Sequence, residues 1–255
     1  MIIVIDIGNS NINFGGFSGD DLKFVFRIST DAAKTEYEYA GTILNALSLY
    51  SVDKSDVKGA IISSVVPPLN LVMKNAVKLI LGIDAILVGP GVKTGINIHC
   101  DTPSSVGADI ICASVAANSI YGAPSLIIDM GTATKMTVID KSGAFVGVSI
   151  IPGVLMGLDA LADKTAQLPR VGLDVPRCVV GKNTADCMRS GVVFGNASLV
   201  DGMIDRICDE VGENLPVYAT GGLASLIIEH CKHDIVYDEY LVLRGLNIIY
   251  QKNVK

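Results

Sequence analysis

Two short stretches place an acid, a glycine and small polar residues at the end of a buried apolar run. They are Asp6-Ile7-Gly8-Asn9-Ser10-Asn11 after "IIVI" and Asp129-Met130-Gly131-Thr132-Ala133-Thr134 after "SLII". A turn of glycine and small hydroxyl or amide residues lets backbone N–H groups approach an anion with no Cβ in the way. An acid at the strand end can hold a cation that neutralises that anion. Together these are the parts that a nucleoside triphosphate and its metal require. One copy alone is ordinary β-turn chemistry; two copies at equivalent points are a pattern. The stretch "VYATGGLAS", residues 217–225, adds a strand, a Gly-Gly turn and a helix start, where an adenine ring or ribose could lie flat on the backbone.

Other devices are missing. No G-x-x-x-x-G-K-[ST] occurs, because Lys182 follows Gly181 but is followed by Asn183, and "GPGVKTG" at 89–95 has the wrong spacing for G-x-G-x-x-G. There is no G-x-S-x-G, and the three scattered histidines give little support to a Ser-His-Asp triad. "HCKH" at 230–233 reads as a solvated helix end rather than a metal site. A net charge of -6 without a Lys/Arg cluster argues against nucleic acid or an anionic membrane as partner. The apolar runs are too short or too interrupted to cross a bilayer, and Asp6 breaks the first one with no basic region before it. A cytoplasmic protein is expected. The six cysteines, at 100, 112, 178, 187, 208 and 231, form no C-x-x-C and are expected to be buried thiols in a reducing compartment.

The elements that must position these turns follow from hydrophobic spacing. Half of the 255 residues are hydrophobic and only 5% aromatic, which suits aliphatic strands buried under helices. Residues 2–7, "NINFGGF" and "LKFVFRIST" read as a three-stranded antiparallel meander. A helix ("EYEYAGTILNALSLY"), a strand ("KGAIISSVV"), a helix ("LNLVMKNAVKLIL"), a strand ("AILVGPG") and a helix ("GADIICASVAANSIYG") follow, the last with Ser104 or Ser105 as its cap. The pattern then restarts at 125–150 with a second meander, followed by helices around 155–165 and 183–212, the strand "LPVYAT" and the helix "LASLIIEH". Placing Asp129 on Asp6 puts Gly131 on Gly8, Thr132 on Asn9 and Thr134 on Asn11. An internal duplication is expected, with halves at 1–118 and 119–255, each a mixed five-stranded sheet flanked by helices, facing each other across a cleft.

The two acidic turns and the Gly-Gly turn match the phosphate and adenosine signature of the actin, sugar-kinase and heat-shock-ATPase superfamily. "DIGNSN", "TPSSVGAD", "DMGTAT", "IIPGV", "LDALADKTAQLPRV" and "GKNTADCMRSGVVFG" follow one another as in type III pantothenate kinases, and this resemblance covers nearly the whole chain. It implies a duplicated ribonuclease-H-like fold and phosphorylation of pantothenate by ATP with Mg²⁺, in the first step of coenzyme A synthesis. It also implies a homodimer with active sites at the subunit interface, and a monovalent cation, potassium or ammonium. Carried over motif by motif, Asp6, Ile7, Gly8, Asn9, Ser10, Asn11, Ile12 and Asn13 would bind ATP, with Asp6 also holding its Mg²⁺. Thr132 would contact ATP and Asp129 would hold the monovalent cation. Gly107, Ala108, Asp109, Ile110 and Cys100 resemble the pantothenate site, and Thr184 the residue that reaches pantothenate from the partner subunit. Asp109 matches the general base, and its place in the first turn of a helix favours the ionised form a base requires. The apolar positions Val192, Val193, Leu199, Met203 and Ile207 are either a core face or, by the resemblance, part of the dimer seam.

The match departs from the family pattern at four positions. Ile110 follows the base where the family has Arg, which removes charge-assisted hydrogen bonds worth roughly 1.5–3 kcal/mol each. Lys135 stands where a small hydroxyl residue is usual, Val148 interrupts a Gly-Gly, and Cys100 replaces an aromatic. The Lys135 ammonium is a candidate replacement for the missing arginine charge. Two other readings stay open at this point: a nucleotide-binding or regulatory protein without catalysis, and a kinase for another small hydroxy acid.

Overall fold

The aliphatic run at the N-terminus forms β1 (Ile2–Ile7), which turns into β2 (Asn11–Ser18) and then β3 (Asp21–Ser29), each antiparallel to the last. These strands come from a computed structural model that describes residues 1–254. α1 (Glu36–Leu49) opens with a capping box: the Thr35 N–H donates to Glu38 Oε2 at 2.8 Å, and the Thr35 side chain closes on the helix in return. β4 (Gly59–Ser64) then pairs parallel to the other edge of β1. α2 (Pro67–Leu81) starts with two prolines, which lack N–H groups no helix start could use, and stops at Gly82 in the left-handed region. A short β5 (Ile86–Leu87) and α3 (Ala108–Ile120) complete the first set.

The first sheet has the order β3-β2-β1-β4-β5. β1 is buried on both faces because it is central. Ile3, Ile5 and Ile7 meet Tyr39, Ile43 and Leu47 of α1 and Leu69, Met73 and Val77 of α2 in one core. Each such fully buried side chain contributes about 1.5–3 kcal/mol.

The second set repeats this topology. β6 (Ser125–Met130), β7 (Ala133–Ile139) and β8 (Phe145–Pro152) form the meander, followed by α4 (Val154–Lys164) and α5 (Thr184–Val211). β9 (Val217–Thr220) is parallel to β6, α6 (Ala224–Ile228) is one short turn, and β10 (Ile235–Tyr237) is parallel to β9. The sheet order is β10-β9-β6-β7-β8, the same pattern strand for strand. Leu126, Ile128 and Met130 pack against Val154 and Leu158 of α4 and Val192, Val193 and Ile204 of α5. The irregular stretch before α5 is tied down by Arg189, whose Nε donates to the Gly172 carbonyl at 2.9 Å and whose guanidinium pairs with Asp174 at 3.1 Å. The duplication expected from the sequence is thus present as two mixed five-stranded sheets with flanking helices.

The last helix corrects the expected boundaries. α7 (Leu241–Asn253) was not anticipated, and it belongs with Met1–Tyr121, leaving Gly122–Tyr240 as the second unit. Its apolar residues Leu241, Leu243, Leu246, Ile249 and Tyr250 are buried. Glycines at the contact make room for them: a Cβ at Gly59 would fall 1.8 Å from the Tyr250 hydroxyl oxygen. Asn247 donates to the Gly19 carbonyl at 2.9 Å, and Asn253 to that of Lys93 at 2.9 Å.

Two smaller expectations also change. Ser104 and Ser105 lie in a separate 3₁₀ turn, Pro103–Ser105, and the cap of α3 is Gly107. The cysteines are not uniformly buried: Cys112 is, whereas Cys178 and Cys187 are exposed. Among the described residues, no helix is long and apolar enough to cross a membrane.

Candidate active site

The first glycine turn is a closed and braced loop. The Gly8 N–H donates to the Asn11 carbonyl at 3.0 Å, which folds residues 8–11 into a tight hairpin turn. A Cβ at Gly8 would lie 3.0 Å from that same oxygen, so only glycine fits without a shift. Thr30, at the end of β3, holds the loop from behind: its hydroxyl donates to the Gly8 carbonyl at 2.6 Å and its N–H to Ser10 at 3.0 Å. Asn9, Ser10 and Asn11 are left exposed at the tip. Ile7 and Ile12, expected to bind ATP, are fully buried in the core, so their side chains do not line the loop and only their backbones are available.

Asp6 is part of a polar row. Directly opposed residues share a face of a sheet, and the register aligns Arg27, Asn13, Asp6 and Ser63 across β3, β2, β1 and β4. Arg27 is exposed and Ser63 fully buried. Neither Arg27, Ser63 nor Thr30 was singled out from the sequence. The signal for Arg27 was its alternation with the buried residues of "FVFRIS", but which acid it faced depended on two hairpin registers.

Asp109 lies in the first turn of α3, where its Oδ1 accepts the Ile110 N–H at 2.8 Å. Gly107 leaves room for this rotamer, since a Cβ would fall 2.5 Å from Asp109 Oδ1 and turn the carboxylate away. That same position is 3.7 Å from Val65 Cγ1, and the Val65 N–H donates to the Ile7 carbonyl at 3.0 Å. The start of α3 therefore abuts the end of β1 just beyond Asp6. The two carboxylates also act on a common neighbour: burial first, and then the negative charges of Asp6 and Asp109, push the Cys112 thiol well above its ordinary pKa. Ala108 and Asp109 lie in this first turn, and Cys100 is half-buried in the preceding loop. Ile110 has a buried side chain, 8% exposed, so the residue replacing the family arginine serves the core.

The second turn is one residue tighter. Asp6 opposes Asn13 across its hairpin, whereas Asp129 opposes Lys135, and the Gly131 N–H reaches only to the Ala133 carbonyl at 3.2 Å. The expected superposition therefore slips after the turn: Thr134 corresponds to Ile12 rather than Asn11, and like Ile12 it is buried. Thr132 is exposed at the tip. Two glycines crowd this turn. A Cβ at Gly153 would lie 2.2 Å from the Thr132 carbonyl oxygen, and one at Gly221 (φ 97°) 2.6 Å from that of Met130. The Gly-Gly turn of the adenosine-like motif is thus built directly against the second phosphate-like turn, with Thr220 beside Asp129 in the sheet.

Lys135 does not stay a loose cation. Its Nζ lies 2.6 Å from Asp129 Oδ2, with the two side chains only 15% and 17% exposed. The carboxylate expected to hold potassium or ammonium already holds an ammonium of the chain itself, so its residues do not fit a further monovalent ion at that oxygen. Asp6 does fit Mg²⁺ carried by ATP: a carboxylate at the end of β1, beside the glycine turn, is the hard-oxygen ligand that ion prefers together with phosphate.

Thr184 is exposed as the first residue of α5, whose cap Asn183 accepts the Asp186 N–H at 2.9 Å. On the same helix Val192, Val193 and Ile207 are buried in the core of the second unit, and Leu199 and Met203 are half-buried.

Comparison with known proteins bears on what these parts do. A family model described as type III pantothenate kinase matches residues 2–206. A type III pantothenate kinase of Brevibacillus brevis is 42% identical over 253 residues, 99% of each chain. One of an Exiguobacterium species is 43% identical over 255 residues, 100% of each chain. Among solved structures, the activator of the 2-hydroxyisocaproyl-CoA dehydratase from Clostridium difficile with bound ADPNP aligns at a TM-score of 0.58 with 14% identity, covering 100% of this chain and 98% of that one. An inorganic polyphosphate/ATP-glucomannokinase from an Arthrobacter strain aligns at 0.53 with 17% identity, covering 98% of each. These two structures share the actin-like ATPase and sugar-kinase fold, and at such identities they speak to fold alone. The relatives matched from end to end speak to more, and with them the chain belongs to the type III pantothenate kinase family.

Proposed function

We infer that this protein transfers the γ-phosphoryl group of ATP to the primary hydroxyl of pantothenate, giving the phosphorylated acid that begins coenzyme A synthesis. The observation that carries the reading beyond kinship is that the start of α3, which bears Asp109, packs against Val65, whose N–H donates to the Ile7 carbonyl next to Asp6. Phosphoryl transfer asks for positioning and charge neutralisation more than for covalent help. A turn that can cradle phosphates and a carboxylate that can take a hydroxyl proton, side by side, are the parts it needs.

In this proposal the exposed Asn9, Ser10 and Asn11 and the backbone of the Gly8 turn hold ATP phosphates. Bound Mg²⁺ supplies charge neutralisation on the phosphates, and Asp6 is the residue that would hold it. Asp109 accepts the proton of the pantothenate hydroxyl as the new P–O bond forms. The Gly107 gap leaves space for its carboxylate, and the Ile110 N–H fixes its rotamer. Thr132 contacts ATP from the second turn. Arg27 supplies a positive charge on the Asp6 face of the first sheet, a charge that Ile110 no longer provides. Cys100 lies toward pantothenate in the same reading.

The test is ADP release from ATP and Mg²⁺ with and without pantothenate, beside the Asp109→Asn variant. Pantothenate-dependent turnover that disappears in the variant supports the kinase and its base. ATP binding without pantothenate-dependent turnover points instead to another hydroxylated acceptor or a non-catalytic role.

The homodimer belongs to the same proposal. The named apolar positions of α5 are largely used inside the second unit, but β8 and α4 expose Ile150, Leu155, Met156 and Leu161. Such surface is consistent with a partner copy, and Thr184 would then act on pantothenate in trans. A monomer by light scattering at micromolar concentration would remove that role.

A further inference from the structure

We propose that Lys135 is a built-in replacement for the monovalent cation at Asp129, so that this enzyme turns over without potassium or ammonium. The inference rests on the kinase reading and deepens it at one residue. Lys135 is placed by register, directly opposite Asp129 on the neighbouring antiparallel strand, and its ammonium lies 2.6 Å from Oδ2. Both side chains are largely shielded from water, so the pair is screened less than a surface ion pair. Their neighbours in the same row are neutral: Thr220 beside Asp129 and Ile150 beside Lys135.

A lysine head is an alkylated ammonium, a compact unit charge with three donors. It carries the same charge and the same kind of N–H donor as ammonium, one of the two ions expected here, with one donor fewer. Being tethered across a hairpin, it binds Asp129 without losing translational freedom, which a dissolved ion must give up. An ion that did enter would leave two like charges crowded on one carboxylate. The charge at the mouth of the second turn is therefore permanent, and independent of ion concentration.

The experiment measures ADP directly by chromatography at constant ionic strength in potassium, ammonium or tetramethylammonium chloride, for the wild type and Lys135→Thr. Wild-type turnover should agree across the three salts within about twofold. Lys135→Thr should lose about tenfold or more in tetramethylammonium and regain most of it in potassium or ammonium. Melting temperature gives a second readout that needs no turnover: potassium against tetramethylammonium should leave the wild type unmoved and raise the variant. A wild type that needs potassium or ammonium, or that they stabilise, overturns the proposal. So does a folded variant that no cation rescues or stabilises. Should the variant not fold, the wild-type salt series and melts decide alone. If the wild type shows no pantothenate turnover in any salt, the kinase reading falls, and the melts still decide whether Asp129 takes an ion.

Discussion

Gly245 of α7 lies so close to Cys112 of α3 that a Cβ at 245 would fall 1.9 Å from the Cys112 carbonyl oxygen. The obstructing atom is backbone in the middle of a helix and cannot rotate away. Gly245→Ala should therefore separate α7 from α3, at a cost of about 1–3 kcal/mol, as overpacking of a core does. Urea unfolding checks this; an unchanged midpoint would mean that the helices separate freely. Because Cys112 lies on the same helix as Asp109, one turn further on, turnover should fall along with stability.

Asp109→Asn removes the proton acceptor and keeps the size of the side chain. Loss of general-base catalysis is worth about a hundredfold to ten-thousandfold. The fall should appear in kcat, with the KM for ATP nearly unchanged, because Asp109 lies at the start of α3 and not in the phosphate turn. A variant with more than half of wild-type kcat would sink the assignment.

Arg27→Gln tests the polar row. The side chain is exposed, so folding should be unaffected, while kcat/KM should drop about tenfold as one charge-assisted contact disappears. If kinetics stay within twofold of wild type, Arg27 is a solvated sheet residue and the charge lost at Ile110 is made up elsewhere or not at all.

Alkaline pH should lower stability in a way that Cys231 reports. Burial, and then the negative charge of Asp201, push its thiol from 9.0 to about 11. A raised folded-state value means that its contribution to stability is complete below pH 9.0 and is lost as pH climbs through about 11. Tyr39, Tyr237 and Tyr250 are also shifted upward, chiefly by burial, and add to the alkaline loss in any variant that retains them. The difference in melting temperature between wild type and Cys231→Ala should therefore change across that window and stay level below it. A level difference throughout would show that the thiol titrates normally.

The exposed thiols give a simpler contrast. Cys178 and Cys187 should react with iodoacetamide in the native protein, while Cys112, buried and with its thiolate disfavoured, should react only on unfolding. Mass spectrometry of the labelled peptides reads the order directly.

Much of this protein was legible as sequence because the relevant signals are local. Aliphatic runs such as "IIVI" and "SLII" had to be central strands, and an acid with a glycine turn at the end of each had to lie at a strand tip. The repeated order of meander, helix and strand announced the duplication, and the motif series announced the family. What stayed hidden was settled by register and by distant packing. One residue fewer in the second hairpin sets Lys135, instead of a neighbour, opposite Asp129, and a one-residue change of register turns every side chain to the other face. Two hairpin registers likewise brought Arg27 into line with Asp6. Ile110 could be read as a gap in the acceptor site, but that its side chain is buried depends on how α3 packs. α7 returns to the first unit from the far end of the chain, because its apolar stripe meets glycines at 59 and 15 and the carbonyl side of Cys112, a surface that exists only once β1, β4 and α3 have assembled. Sequence by itself determined the strands, the turns and the kind of chemistry; the tertiary structure alone decided which charges meet, since contacts between residues far apart in the chain are set by hairpin length and packing and carry no local mark.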